Sequence, residues 1–429
     1  MKLNVNKTTL PNGIRVVSAS MPHVESVAMG VWVGVGGRYE PKAISGMSHF
    51  IEHLLFKGTK KRSAQEISQA IEGRGGYFNA FTQEESTCYY ARITSDHAWN
   101  TLDILCDMYL NARFDKVDID KERGVIIEEI IMYADQPHHL VQDILGELLW
   151  ANHALGRPLI GTPENIRRVT RKEILDFKNK KYVSNNTVIT FAGKIDHAAC
   201  VHQVAKRLGS IKKRTKPSFT RVTSKTVQKR VAVASKEIEQ SHLAIGVKLF
   251  GRKDPRRFAA KLLSIILGEN MSSRLFQIVR EKYGLAYSIH SSVQLFDDTG
   301  VFIISVGLDR LQTDKAIALI FKELNRIKEK PVSKSELKRA KDYTIGQMQI
   351  GLESTAHQMM WIGENMMSYG ECIQPSELIQ RIETITSEHI LKLAKQLFKR
   401  HRISIALVTP LEDSDRSRDV SFNGMKALS

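Results

Sequence analysis

Two histidines and the glutamate between them define the chemistry to look for in this 429-residue chain. They stand as His49-Phe50-Ile51-Glu52-His53 inside the stretch from Gly46 to Phe56. Met47, Phe50, Ile51, Leu54 and Leu55 recur at helical spacing and form one apolar stripe. His49, Glu52 and His53 fall together on the other face. Two imidazoles four residues apart on one helix can bind a single zinc ion through neutral ring nitrogens. The carboxylate between them can take a proton from an activated water. The order His-x-x-Glu-His is the inverted zinc-peptidase motif. A plain surface helix with two solvated histidines would show the same letters, so the motif needs a third ligand.

The segment Glu122-Arg123-Gly124-Val125-Ile126-Ile127-Glu128-Glu129-Ile130 offers one. On a helix, Glu122 and Glu129 lie seven residues apart and nearly eclipsed. A carboxylate facing inward here completes a three-ligand site and leaves a fourth position open. Spacing leaves Glu128 and Glu129 both open. Glu128 would project about 120° away from Glu122, which favours Glu129. Glu122, one heptad earlier, is placed to hydrogen-bond a ligand histidine and orient it. Solvated charge is the plain reading of these glutamates taken alone.

The elements that must carry these residues can be read from period and punctuation. Gly13–Ala19 and Val24–Gly34 read as paired strands. Ala64–Ile71 reads as a helix, with Ser63 as N-cap and Glu66 completing a capping box. Gly73-Arg74-Gly75-Gly76 breaks it. Tyr77–Thr82 and Ser86–Ile93, rich in aromatic and β-branched residues, read as a hairpin. Helices are expected over His97–Asn111, Asp118–Ala134 and Thr170–Lys181, and a strand over Thr187–Ala192.

The chain then repeats at an offset of 216 residues. Val27-Ala28-Met29-Gly30-Val31 matches Leu243-Ala244-Ile245-Gly246-Val247, and Val188-Ile189-Thr190 matches Ser404-Ile405-Ala406. This predicts two homologous halves, 1–212 and 226–429, joined by a basic linker at 213–225. Mixed strands and helices in each half predict an α+β fold, a largely antiparallel sheet with helices on one face. In the repeat register His49, Glu52 and His53 correspond to Ile265, Gly268 and Glu269, and Glu129 corresponds to Ile345. One half keeps the metal-binding pattern and the other has lost it.

Composition is that of an ordinary globular protein with a formal charge of +17. The basic runs at 57–62, 178–181 and 212–216 lack interleaved aromatics, so they read as solvated surface rather than a nucleic-acid interface. Cys88, Cys106, Cys200 and Cys372 show no paired spacing, which argues against a disulfide framework and a cysteine zinc site. No stretch is apolar and long enough to span a bilayer. The opening residues lack the apolar run of a secretory signal and leave no room for a presequence before the first strand. The expectation is the cytoplasm of a bacterium.

These residues resemble the family of pitrilysin, insulin-degrading enzyme and mitochondrial processing peptidase. The resemblance covers nearly the whole chain. Its core is His49-Phe50-Ile51-Glu52-His53 followed 76 positions later by Glu129. It implies that His49, His53 and Glu129 bind one zinc ion per chain, that Glu52 is the general base, and that Glu122 supports the ligands. Gly75-Gly76-Tyr77-Phe78-Asn79-Ala80-Phe81 looks like the family's active-site edge strand, where a peptide substrate adds as an extra strand against Asn79, Ala80 and Phe81. Arg280-Glu281-Lys282-Tyr283-Gly284-Leu285-Ala286-Tyr287 resembles its arginine–tyrosine pair. There Arg280 would grip the peptide backbone and Tyr287 would donate to the developing oxyanion. Without the family, Tyr287 reads as a packed aromatic.

Long members carry four such domains in one chain and two-domain members pair two subunits. The resemblance therefore implies a homodimer, or a pairing with a paralogous subunit, enclosing a chamber for short or unfolded peptides. The alternative is a non-catalytic scaffold subunit of the same fold.

Overall fold

The computed structural model describes residues 2–223 and 230–410, so part of the expected linker and both ends of the expected second half lie outside the described residues. The elements in chain order begin with strands β1 (Val5–Thr9), β2 (Arg15–Ser20) and β3 (Ser26–Val33). Helices α1 (Met47–Leu55) and α2 (Ala64–Ile71) lead to the hairpin β4 (Tyr77–Thr82) and β5 (Thr87–Thr94). Helices α3 (Ala98–Asn111), α4 (Lys116–Asp135), α5 (Pro137–Leu149), α6 (Pro163–Arg168) and α7 (Arg171–Lys181) precede β6 (Thr187–Gly193) and α8 (His197–Leu208). The later part runs β7 (Val231–Lys236), β8 (Gln240–Leu249), α9 (Arg257–Ser264), β9 (Ala286–Leu295) and β10 (Gly300–Asp309). It ends with α10 (Thr313–Glu329), α11 (Lys334–Gly351), α12 (Thr355–Ser368), α13 (Pro375–Glu383), α14 (Ser387–Leu397) and β11 (Ile403–Pro410).

Two compact units result, each built on one mixed sheet. The first sheet has the order β1-β2-β6-β3-β5-β4 and the second β7-β11-β8-β10-β9. All neighbours are antiparallel except β2 with β6 and β11 with β7. The second order repeats the first without its β1. The strands keep the 216-residue register: β7 begins at Val231 where β2 begins at Arg15, and β11 begins at Ile403 where β6 begins at Thr187.

Two expectations change. β2 and β3 do not pair with each other, because β6 lies between them. Every residue of β6 is buried, and a strand covered on both faces belongs at the centre of its sheet. β2 pairs instead with β1, a strand the sequence reading missed.

The spatial units also depart from the halves 1–212 and 226–429. Residues 132–157 belong to the second unit and residues 348–377 to the first. The cause is burial. Val141, Leu145, Leu148 and Leu149 of α5 pack on Ala244, Val301, Ala406 and Val408 of the second sheet. Met359, Ile362 and Met366 of α12 pack on Val17, Ala28, Trp32 and Val188 of the first. The two helices occupy equivalent places in the repeat, and each covers the sheet of the other half. In the first unit α1, α2, α3, α7 and α8 line one sheet face, and α12 adds cover on the opposite face. Gly363 permits this close approach, since a Cβ there would overlap the Trp32 indole.

Candidate metal centre

Helix α1 forms because its stripe has a core to enter. Met47, Phe50, Ile51, Leu54 and Leu55 are all fully or almost fully buried. Each contributes about 1.5–3 kcal/mol of transfer free energy on burial. The helix starts at Gly46, whose φ of 93° is left-handed. The Glu40 carboxylate receives the backbone N–H groups of Gly46 at 2.7 Å and Ser48 at 2.6 Å. A carboxylate there satisfies amides that lack helical partners and complements the helix dipole.

With its stripe fixed, α1 turns His49, Glu52 and His53 toward α4 and β4. Nε2 of His49 lies 3.7 Å from Oε2 of Glu129, and Nε2 of His53 lies 3.6 Å from the same oxygen. One ligand atom from each of the three residues lies within 4.8 Å of the other two. Tetrahedral zinc with ligand distances of about 2.0–2.1 Å separates its ligand atoms by about 3.3–3.5 Å. The Glu129 oxygen therefore stands close to that spacing from each of the two nitrogens, and the donor set suits zinc. Glu128 is exposed and is not part of this group.

The surroundings keep the donors in the forms a metal needs. His49 is only 9% exposed, and burial, then the neighbouring His53, lowers its pKa to about 4. Its imidazole is neutral at pH 7. Among the described residues its Nδ1 has no hydrogen-bond partner. Nδ1 of His53 is 3.1 Å from Oε2 of Glu122, which directs Nε2 toward Glu129. Glu122 is buried, and its other oxygen receives Lys57 Nζ at 2.7 Å. Helix α4 supplies both carboxylates because Ile119, Ile126 and Ile130 anchor it in the core beside them. Val125, on the same helix, is exposed.

Glu52 is half-buried next to the histidines. Burial raises its carboxyl above the ordinary value; a hydrogen bond from Thr82 and the charge of His53 pull it back, while Glu129 adds to the rise. Thr82 Oγ1 donates to Glu52 Oε2 at 2.6 Å.

Strand β4 is the edge of its sheet beyond β5. Phe78 and Ala80 pack on the side of α1, whereas Phe81 stacks edge-on against Trp32 on the opposite face, their centroids 5.6 Å apart. Asn79 is exposed; its Oδ1 accepts the Ala80 amide at 2.8 Å and its Nδ2 donates to the Tyr77 hydroxyl at 2.7 Å.

Arg280 and Tyr287 belong to the second unit. The Arg280 guanidinium lies 5.8 Å from the centroid of the Tyr287 ring and 4.8 Å from that of Phe276. The Tyr287 side chain is 78% exposed, not packed. Sequence reasoning missed Thr82, Lys57 and Glu40. Thr82 sits one residue beyond the expected edge motif, and nothing in the spacing of Lys57 or Glu40 marks them.

The fold and this cluster define a two-unit α+β protein with a candidate metal centre. Residues 15–163 match the family described as Insulinase (Peptidase family M16), and residues 168–343 match the Peptidase M16 inactive domain. An uncharacterized zinc protease of Streptomyces coelicolor is 38% identical over 96% of this chain and 91% of its own length. A second, of Bacillus subtilis, is 36% identical over 95% of this chain and 98% of its own. A protease from Helicobacter pylori superposes with a TM-score of 0.89 at 22% identity, over 96% of this chain and 100% of that one. A chain of Complex III2 from Candida albicans does so with a TM-score of 0.83 at 21% identity, over 97% and 99%. The chain belongs to the M16 peptidase family.

Proposed function

We propose that this protein is a zinc-dependent endopeptidase acting on short or unfolded peptides. The observation that carries the reading is the convergence of His49 Nε2, His53 Nε2 and Glu129 Oε2 beside the Glu52 carboxylate. Zinc bound there would lower the pKa of water to about 7 and polarise the scissile carbonyl. Glu52 accepts the proton of the attacking water on Oε1 and later returns it to the leaving nitrogen. The peptide main chain adds as a strand to the edge of β4 along Asn79, Ala80 and Phe81, which confers affinity without demanding one sequence. Asn79 must release the Ala80 amide for this to happen. The Arg280 guanidinium holds the peptide backbone and the exposed Tyr287 hydroxyl donates to the developing oxyanion.

The acting species is a homodimer, in which these two residues of one subunit serve the metal centre of the other and the enclosed chamber admits only unfolded chains. A bacterial cytoplasmic setting accords with cysteines that are all free thiols. Among the described residues no helix is long and apolar enough to cross a membrane.

The test is cleavage of a quenched fluorescent peptide by purified protein before chelation, after chelation and after added zinc. Activity lost to the chelator and restored by zinc is the expected result. Protein that never cleaves and never binds zinc would favour the alternative, a non-catalytic scaffold subunit of the same fold.

A further inference from the structure

Thr82 is the last residue of the edge strand β4, and its two ends face different partners. The register fixes the backbone end. Gln83 N–H donates to Ser86 O at 2.8 Å, closing the two-residue turn of the hairpin. In an antiparallel pair, hydrogen-bonded and non-hydrogen-bonded positions alternate. Thr82 opposite Thr87, Ala80 opposite Tyr89 and Phe78 opposite Ala91 are therefore the non-hydrogen-bonded positions. Their N–H and C=O groups point away from β5, toward the open edge. The Ala80 amide agrees with this: it meets the side chain of Asn79 and not a β5 carbonyl.

The side-chain end is equally defined. Thr82 shares the strand face of Phe78 and Ala80, the face that meets α1. Its hydroxyl lies 2.6 Å from Glu52 Oε2, a distance typical of a hydroxyl donating to a carboxylate. The other hydroxyl nearby is Thr87 Oγ1, at 3.4 Å. Thr87 directs its single hydrogen to Val35 O at 2.9 Å, so the Thr82 hydrogen is left for Glu52. Thr82 thus holds one oxygen of the Glu52 carboxylate.

We propose that Thr82 is a positioning residue that holds the Glu52 carboxylate in register with a peptide docked on β4. This rests on the peptidase reading above. A peptide main chain that pairs with the open groups of Phe78, Ala80 and Thr82 stiffens the very residue that aims the base. The alignment then depends on the backbone of the substrate and not on its side chains. No bond is made or broken by Thr82 itself: its proton stays on Oγ1 while Glu52 Oε1 exchanges a proton with water.

The experiment compares wild type with Thr82→Val, which keeps the β-branched shape, and Thr82→Ser, which keeps the hydroxyl. Zinc content, kcat and KM are measured on full-length protein with one quenched peptide. The affinity of that peptide is also measured by fluorescence anisotropy on the non-cleaving Glu52→Gln protein with and without Thr82→Val. Loss of a hydrogen bond to a charged group predicts a fall in kcat of about 10–100-fold for Thr82→Val. Zinc content, KM and peptide affinity stay at wild-type values, and Thr82→Ser recovers kcat to within about threefold of wild type. Unchanged kcat in Thr82→Val overturns the proposal, as does a loss confined to KM, peptide affinity or zinc content. Failure of Thr82→Ser to recover kcat overturns it as well. A wild-type protein that neither binds zinc nor cleaves overturns the peptidase reading and this proposal with it, so the two failures are told apart by wild type alone.

Discussion

Glu122 Oε2 stands 3.1 Å from Nδ1 of His53, and the same carboxylate is held on its other oxygen by Lys57. The pairing fixes which ring nitrogen of His53 is free to bind a metal. A carboxylate behind a ligand histidine sets its orientation and raises its basicity. Glu122→Gln is therefore expected to leave the fold intact and weaken zinc affinity by about 10–100-fold, measured by competition with a coloured chelator. Unchanged affinity would mean that Glu122 serves α4 and not the metal.

In the proposed mechanism Glu52 has a role separate from that of the three donors beside it. Glu52→Gln keeps its shape and keeps an acceptor for Thr82, but it can no longer take a proton from water. The expected outcome is wild-type zinc content with turnover reduced by about 10²–10⁴-fold. Retained turnover in a fully zinc-loaded Glu52→Gln sample would remove Glu52 as the base.

Helix α12 completes the first unit from far along the chain. A fragment ending at residue 212 exposes Val17, Ala28, Trp32 and Val188, which Met359, Ile362 and Met366 cover in the full protein. That fragment is expected to bind a hydrophobic dye and unfold without a sharp transition. In the whole chain, Gly363→Leu forces a side chain into the Trp32 indole. Overpacking of this kind costs about 1–3 kcal/mol or more, readable as a lower midpoint in urea. A cooperative, dye-free 1–212 fragment would show that α12 is dispensable.

Lys178 of α7 is buried between the rings of Tyr109 and Phe114, with its Nζ 6.0 and 5.7 Å from their centroids. Burial lowers its pKa to about 8. The folded pKa lies below the unfolded one, so the unfolded chain binds more protons between about 8 and about 10.4 and stability rises with pH across that window. The contribution is complete above the unfolded pKa and is lost as pH falls through about 8. Lys178→Met is expected to abolish this slope. At pH 7 it gains about 1–3 kcal/mol over wild type, a gain that fades toward pH 10, measured by urea titration at several pH values. A wild-type stability curve flat from pH 7 to 10 would contradict this placement of the ammonium.

Much of the site was legible because it depends on local helical spacing. The apolar stripe of α1 fixes where His49, Glu52 and His53 point, and the heptad from Glu122 to Glu129 places two carboxylates on one face of α4. The capping box at Ser63 and Glu66 forms as its spacing predicts. What the sequence concealed is long-range. Nothing local indicates that β6 separates β2 from β3, or that α5 and α12 each cover the sheet of the other half. Their apolar stripes announce burial without naming the partner. Thr82 was invisible for a related reason: its role arises where a strand end meets a helix 30 residues away in sequence. His49 was expected on a face away from packing and is instead almost fully buried, because α4 and β4 close over that side of α1.

The most direct measurement is the zinc content of purified wild-type protein beside Glu129→Gln and Glu128→Gln, by elemental analysis after exhaustive dialysis. One zinc per chain in wild type and in Glu128→Gln, with most of it lost from Glu129→Gln, is the predicted result. Full zinc in Glu129→Gln, or none in a well-folded wild type, would contradict a metal centre built from His49, His53 and Glu129.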